Sequence, residues 1–278
     1  MGTSGTGTAI ADATAATMAD VAITVDGLTK RYRGHTAVEN MSFTVRGGAI
    51  TGIFGLNGAG KTTALKVISG LARASAGQVL WGGHDTPAGT RGRLGVFIEP
   101  CGAHPGRSAR AHLRSLAAMA GLPRARVAEV LALVGLDQVS PRRVGRYSLG
   151  MRQRLGLAAA LLTDPDILVL DEPMNGLDPR GIRWLRTLLR EQADSGRTVM
   201  LSSHSLTETE RLVDDVIVIH QGRVVHQGPI GPMTDRGATL EEIFLGLTDA
   251  DPTDTDPTDT DPTDTDPTAA GPTGGEDA

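Results

Sequence analysis

Cysteine is almost missing from this sequence. Cys101 is the only one in 278 residues, so no disulfide can form within the chain, and the composition fits a reducing cytosol. No apolar run approaches the roughly 18 residues that cross a bilayer. The opening MGTSGTGTAIADATAATMAD lacks both a basic segment and a long apolar block, so it does not read as a secretory signal. Residues 1–20 read instead as a disordered leader, and Met18 is a second candidate start besides Met1, because MADVAITVDGL opens directly into strand-like alternation. Lysine is confined to Lys30, Lys61 and Lys66 while arginine is common, a bias that reads as genomic base composition rather than recognition chemistry. Bases are absent from residues 249–278, which hold ten acids. The formal charge of -5 therefore conceals +5 over residues 1–248, where 27 bases face 22 acids. Neither a strongly basic stripe nor a long heptad run is present, which argues against a nucleic-acid partner and against a coiled-coil arm.

What is present is enough apolar material for a sizeable core, with 40% hydrophobic residues. VAITVDGL (21–28) and MSFTVRGG (41–48) alternate at period two and end in turn residues, as strands of a small antiparallel sheet would. AITGIFG (49–55) is a short apolar run into a glycine-rich loop, and KTTALKVISGL (61–71) has helical spacing. Residues 107–163 are mostly helical. DILVLDEP (166–173) is a buried strand ending in two acids, IRWLRTLLREQADSG an amphipathic helix, RTVMLSSH (197–204) a further strand, and VIVIHQGRVVHQG (216–228) a hairpin. The outline is α/β: a parallel core, an antiparallel β arm and a helical insertion. From residue 248 to 278 the repeat DPTDT has no large apolar side chain, so burial cannot offset the entropy of ordering, and a disordered tail is expected. A solvated spacer is its simpler reading and an acidic docking arm the alternative.

The stretch GLNGAGKTT comprises Gly55, Leu56, Asn57, Gly58, Ala59, Gly60, Lys61, Thr62 and Thr63, and fits G-x-x-x-x-G-K-[ST]. Glycines let successive N–H groups turn inward around a phosphate, and the helix that follows adds positive potential. Lys61 is placed to reach β- and γ-phosphates, and the Thr62 hydroxyl suits Mg²⁺. Asp171 ends the apolar strand 166–173, where a Mg²⁺ shell would lie, and Glu172 follows as a general base for an attacking water. A glycine turn with a chance lysine, and a simple acidic cap before Pro173, are the bland readings; strand before and helix after weigh against both.

Tyr147-Ser148-Leu149-Gly150-Met151, some twenty residues before the acid pair, resembles the LSGGQ signature loop of ATP-binding cassette (ABC) ATPases. The resemblance covers about residues 21–247, taken as the ABC domain, with a helical subdomain at about 100–160. It implies a P-loop NTPase parallel-sheet core with ATP and Mg²⁺ as ligands. It also implies a head-to-tail dimer of two copies, in which Ser148 and Gly150 of one chain close on the γ-phosphate held by the other. By the same resemblance Tyr32 stacks on adenine, Asn175-Gly176-Leu177-Asp178 is the D-loop at the dimer interface, and His204 is the switch histidine. Glu99 stands where the family usually has the Q-loop glutamine, and is expected on the metal side. Met151 replaces the signature glutamine and cannot donate a hydrogen bond, which leaves that contact to Arg152 or Gln153. IEP, YSLGM and LEEIFLGLT (240–248) are similar to cassettes of the antibiotic- and bacteriocin-export and self-resistance subgroup.

The resemblance explains why no substrate pocket is legible: ATP closes the dimer, hydrolysis opens it, and the motion passes to a separate integral-membrane permease. The expectation is an ATPase peripheral to the cytoplasmic face of the membrane, exporting a drug, antibiotic or peptide. The alternatives are a soluble ABC ATPase acting on the ribosome or DNA, the energising subunit of an importer, and a nucleotide-binding regulator without turnover.

Overall fold

The computed structural model describes residues 21–84, 94–98, 102–234 and 239–248. Its strands are β1 (Val21–Tyr32), β2 (His35–Arg46), β3 (Ile50–Phe54), β4 (Ala76–Trp81), β5 (Leu94–Phe97), β6 (Ile167–Leu170), β7 (Thr198–Ser203), β8 (Asp215–His220) and β9 (Arg223–Pro229). Its helices are α1 (Lys61–Ile68), α2 (Ala109–Met119), α3 (Arg124–Leu133), α4 (Leu149–Ala160), α5 (Pro179–Asp194), α6 (Leu206–Glu210), α7 (Gly231–Thr234) and α8 (Leu240–Thr248), with a 3-10 turn at Val144–Arg146. One sheet is antiparallel, in the order β2-β1-β4. The other runs β5-β6-β7-β3-β8-β9, parallel except for β9, which closes a hairpin on the edge.

The central strands are apolar on both faces because both faces are covered. Along β6, Leu168 and Leu170 enter one core and Ile167 and Val169 the other; along β8, Val216 and Val218 part in the same way from Ile217 and Ile219. The first core is closed by α2 to α5 and α8, through Leu113, Val127, Leu155, Leu185 and Phe244. The second is closed by α1 and the antiparallel sheet, through Leu65, Ile68, Ile23, Phe43 and Trp81. The result is three layers, with the parallel sheet in the middle.

The strands expected at 21–28 and 41–48 run longer, to Tyr32 and back from His35. Arg33 and Gly34 join them, both with positive φ (29° and 88°), as a two-residue hairpin turn with the strands' own twist requires. The third strand of the arm, β4, was not legible: of AGQVLW only Val79 and Trp81 are buried, so no alternation marks it. The sequence LEEIFLGLT forms α8, which anchors Leu240 and Phe244 in the first core. The expected leader, the acidic tail and Glu99 lie outside the described residues.

Candidate nucleotide-binding site

The site forms where three parallel strands end. β3 runs into the loop 55–60 and α1; β6 delivers Asp171 and Glu172; β7, hydrogen-bonded between β6 and β3, delivers His204. Carboxyl ends of parallel strands are where open α/β sheets bind ligands. An open cleft of about 630 Å³ lies there, walled by the glycine loop, the first turn of α1, Glu172, His204 and Tyr32.

Two glycines of the loop are fixed by close approach. A Cβ on Gly60, whose φ is 103°, would stand 2.5 Å from the Ala37 carbonyl oxygen, and one on Gly55 would stand 2.5 Å from that of Ile219. The loop is thereby pressed against β2 and β8. Leu56, Asn57 and Gly58 face outward, while Ala59 is buried beneath them. Lys61 is buried and donates to the carbonyls of Gly55 (2.6 Å) and Leu56 (3.2 Å), so the loop is held closed on its own lysine. Burial lowers the Lys61 pKa from its ordinary value, and the charges of Glu172 and Asp171 partly restore it. Thr62 and Thr63 line the cleft in the first turn of α1, where helical N–H groups lack internal partners.

Ser202, fully buried on β7, donates to Asp171 Oδ1 at 2.6 Å and accepts from the Glu172 amide at 2.9 Å. Glu172 adopts φ 47°, a left-handed conformation that costs a non-glycine residue about 1 kcal/mol or more. That bend turns the chain out of the strand and sets the Glu172 carboxylate beside His204. Oε2 lies 2.8 Å from His204 Nδ1 and also accepts from the His204 amide at 3.3 Å.

The structure thus gathers Gly55 to Thr63, Asp171, Glu172, His204 and Tyr32. Tyr32 lies at the rim, 44% exposed, with the Lys30 ammonium 4.8 Å from its ring centroid. Ser148, Gly150 and Asp178 do not line the cleft. Ser148 caps α4 by accepting from the Met151 amide (3.2 Å), and Asp178 caps α5 by accepting from that of Gly181 (2.7 Å). The two caps are neighbours, since a Cβ on Gly150 would meet the Gly176 carbonyl at 3.2 Å. Met151 packs against the first core, Gln153 is buried, and Arg152 donates to the Tyr147 carbonyl at 2.6 Å. His35 and Ser202 are not among the residues expected at the site, and Asn175, expected only as part of the D-loop, lines the cleft. Serine inside the apolar run TVMLSS was the available signal for Ser202, whereas His35 reaches the cleft only because the hairpin turn pairs it with Tyr32.

The oxygen donors suit a hard cation beside a triphosphate: Thr62 carries a hydroxyl at the helix start, and the Asp171 carboxylate is already held by the Ser202 hydroxyl. Glu172 is placed to accept a proton from water, with His204 as its neighbour.

Residues 38–175 match the family model described as ABC transporter. The bacitracin transport ATP-binding protein BcrA of Bacillus licheniformis is 39% identical over 214 residues, spanning 75% of this chain and 70% of that protein. The lantibiotic transport ATP-binding protein SrtF of Streptococcus pyogenes is 34% identical over 220 residues, spanning 79% and 94%. A solved ATP-binding subunit of an ABC transporter superposes with a TM-score of 0.74 at 29% identity, covering 81% of this chain and 99% of that one. With the phosphate loop, the acid pair and the histidine converging on one cleft, the chain belongs to the ABC transporter family, as an ATP-hydrolysing nucleotide-binding subunit.

Proposed function

We propose that this subunit powers the export of an antibiotic, drug or peptide through a separate membrane permease. The observation that carries the reading is its likeness to the bacitracin and lantibiotic transport proteins over most of both chains. Among the described residues no helix is long and apolar enough to cross a membrane; in this reading the permease provides the transport path. The chain then works at the cytoplasmic face of the membrane. Two copies pack head to tail, so that the turn at Ser148 and Gly150, with Asp178 beside it, completes the neighbour's phosphate site.

In this reading Tyr32 stacks on the adenine at the cleft rim, the loop amides of 55–63 cradle the phosphates, and Lys61 exchanges its carbonyl partners for phosphate oxygens. Thr62, Asp171 and, by the family resemblance, Glu99 would hold Mg²⁺, which would supply charge neutralisation. Glu172 takes the proton from the attacking water. His204 fixes the Glu172 carboxylate through Nδ1, leaving its other ring nitrogen for the γ-phosphate.

The test is a gentle detergent purification of the tagged full-length protein with identification of what co-purifies, followed by ATPase assay with and without that partner. A stoichiometric polytopic membrane protein that changes the ATPase rate is expected; ribosomal or DNA-repair partners would overturn the transport reading. Glu172→Gln is expected to cut hydrolysis by about two orders of magnitude or more while nucleotide still binds. Unchanged hydrolysis would remove Glu172 from its role.

A further inference from the structure

Between residues 102 and 160 the sequence holds ten arginines and two acids, a surplus of eight. Residues 1–248 as a whole carry only +5, so everything outside this stretch is on balance acidic. The positive charge of the folded part is therefore concentrated on α2 to α4 and their connections, which corrects the sequence reading that no strongly basic stripe is present. The fold gathers it further. The Arg107 carbonyl accepts from the Val144 amide (2.8 Å), the Pro105 carbonyl from that of Gly145 (2.9 Å), and the Ser140 carbonyl from that of Arg110 (3.1 Å). Ser108 and Arg143 form a β-bridge. The start of α2 is thereby sewn to the segment 139–146, which brings Arg107, Arg110, Arg142, Arg143 and Arg146 into one neighbourhood, with Arg114 a turn further along α2; the Arg110 guanidinium also donates to Ser140 Oγ. All six are exposed, and among the described residues none is ion-paired with a carboxylate. The field is felt nearby: burial chiefly lowers the His112 pKa, and Arg107 lowers it further.

One segment of this chain matches that face in charge. Residues 249–278 carry ten acids and no base, and from 249 to 266 an aspartate recurs every two or three residues. The segment leaves the fold at Thr248, the end of α8, and its 30 residues span up to about 100 Å when extended. A fold of this size has a radius of gyration of about 18 Å, so every face is within reach. Tethering raises the effective concentration of the acids to the millimolar range without any new contact. We propose that the aspartate repeat of residues 249–266 docks in cis on the arginine face formed by the start of α2 and the segment 139–146. Charge pairing of this kind is loose and screened by salt. Docked there, the repeat withholds the face from other polyanions.

Scarcity of lysine makes the test clean. Carbodiimide joins carboxylates to amines, and besides the α-amine of its first residue the chain offers only Lys30, Lys61 and Lys66. In full-length protein carrying Arg143→Lys and Arg146→Lys, which keep the charge, carbodiimide treatment followed by peptide mapping reads where the aspartates sit. An equal mixture of light and isotope-labelled chains separates links within a chain from links between chains. Links from 249–266 to the introduced lysines, within one chain, at least about fivefold above those to Lys30 and Lys66, and fading at about 0.5 M salt, are expected. Links spread evenly over all lysines, or joining light to heavy chains, overturn docking in cis. A second variant replaces the eight aspartates of 249–266 with asparagine at unchanged length. Its affinity for phosphatidylserine vesicles is expected to rise about fivefold as the arginine face is uncovered. Equal vesicle binding by the two proteins would overturn the proposal and make the membrane surface the occupant.

Discussion

A single hydroxyl organises the two acids of the site. Ser202 is fully buried, donates a hydrogen bond to Asp171 and accepts one from the Glu172 amide, so removing it leaves two polar groups without their partner. Ser202→Ala is expected to destabilise the fold by about 1–3 kcal/mol. It is also expected to lower kcat about tenfold with little change in KM for ATP, because Ser202 hydrogen-bonds to the acid pair. Ser202→Thr, which keeps the hydroxyl, should recover most of the loss, and thermal melts beside steady-state kinetics separate the two effects. The acids themselves were legible from the apolar run before them. Their conformation was not: nothing in DEP announces that Glu172 bends to φ 47°, because that bend is imposed by the strands and the Ser202 hydroxyl. Tyr32 could be placed only by family likeness, since a tyrosine ending a strand carries no local mark of a binding role.

At the scale of elements, caps and edges carry the testable content. Asp178 starts α5 with Pro179 behind it, the arrangement that satisfies a free amide and pre-sets the first helical φ. Asp178→Ala is expected to cost about 0.5–2 kcal/mol by denaturant titration. Asp178→Asn should recover most of that stability; an ATPase defect that persists in the asparagine variant would support the proposed dimer contact rather than a role in the helix alone. The edge strand β9 carries His226, whose pKa is lowered by burial, and His112 on α2 is shifted the same way, by burial and then by Arg107. A histidine with a depressed folded pKa binds fewer protons than the unfolded chain between the two values. Its contribution is thus complete above the unfolded value of about 6.5 and fades as pH falls through the folded value. Melting temperature is expected to drop on acidification below about pH 6.5, and His226→Gln should flatten the drop. Strong period-two strands and long periodic helices were readable in the sequence. β4 and α7 were not, since one shows too few buried positions and the other, four residues long, shows no buried residue at all.

For the whole molecule the decisive feature is a sheet buried on both faces. Ile53 belongs to the core shared with α1 and Leu170 to the core shared with α2 to α5, yet their strands lie in one sheet, separated by β7 alone. Ile53→Ala and Leu170→Ala are each expected to cost about 2–5 kcal/mol and to lower one common unfolding transition. Two separable transitions in calorimetry would mean that the layers melt independently. The layered class was legible from the order of strands and helices; which helices cover which face was not, because apolar runs on two-faced strands look alike from either side. Those strands obey a rule of odd and even. On β6 the even residues meet the helical layer and the odd ones meet α1 and the arm, so Asp171, being odd, continues the row of Ile167 and Val169. On β7 the counting reverses: Met200 is on the α1 side, and Ser202 continues its row. The bond between Asp171 and Ser202 is thus a matter of arithmetic, two rows reaching the same end of the same face. Deleting one residue anywhere within β6 would invert the count and send the aspartate to the side away from the phosphate loop. Insertions and deletions that the loops can absorb are therefore closed to this strand, whatever the chemistry of the residue gained or lost.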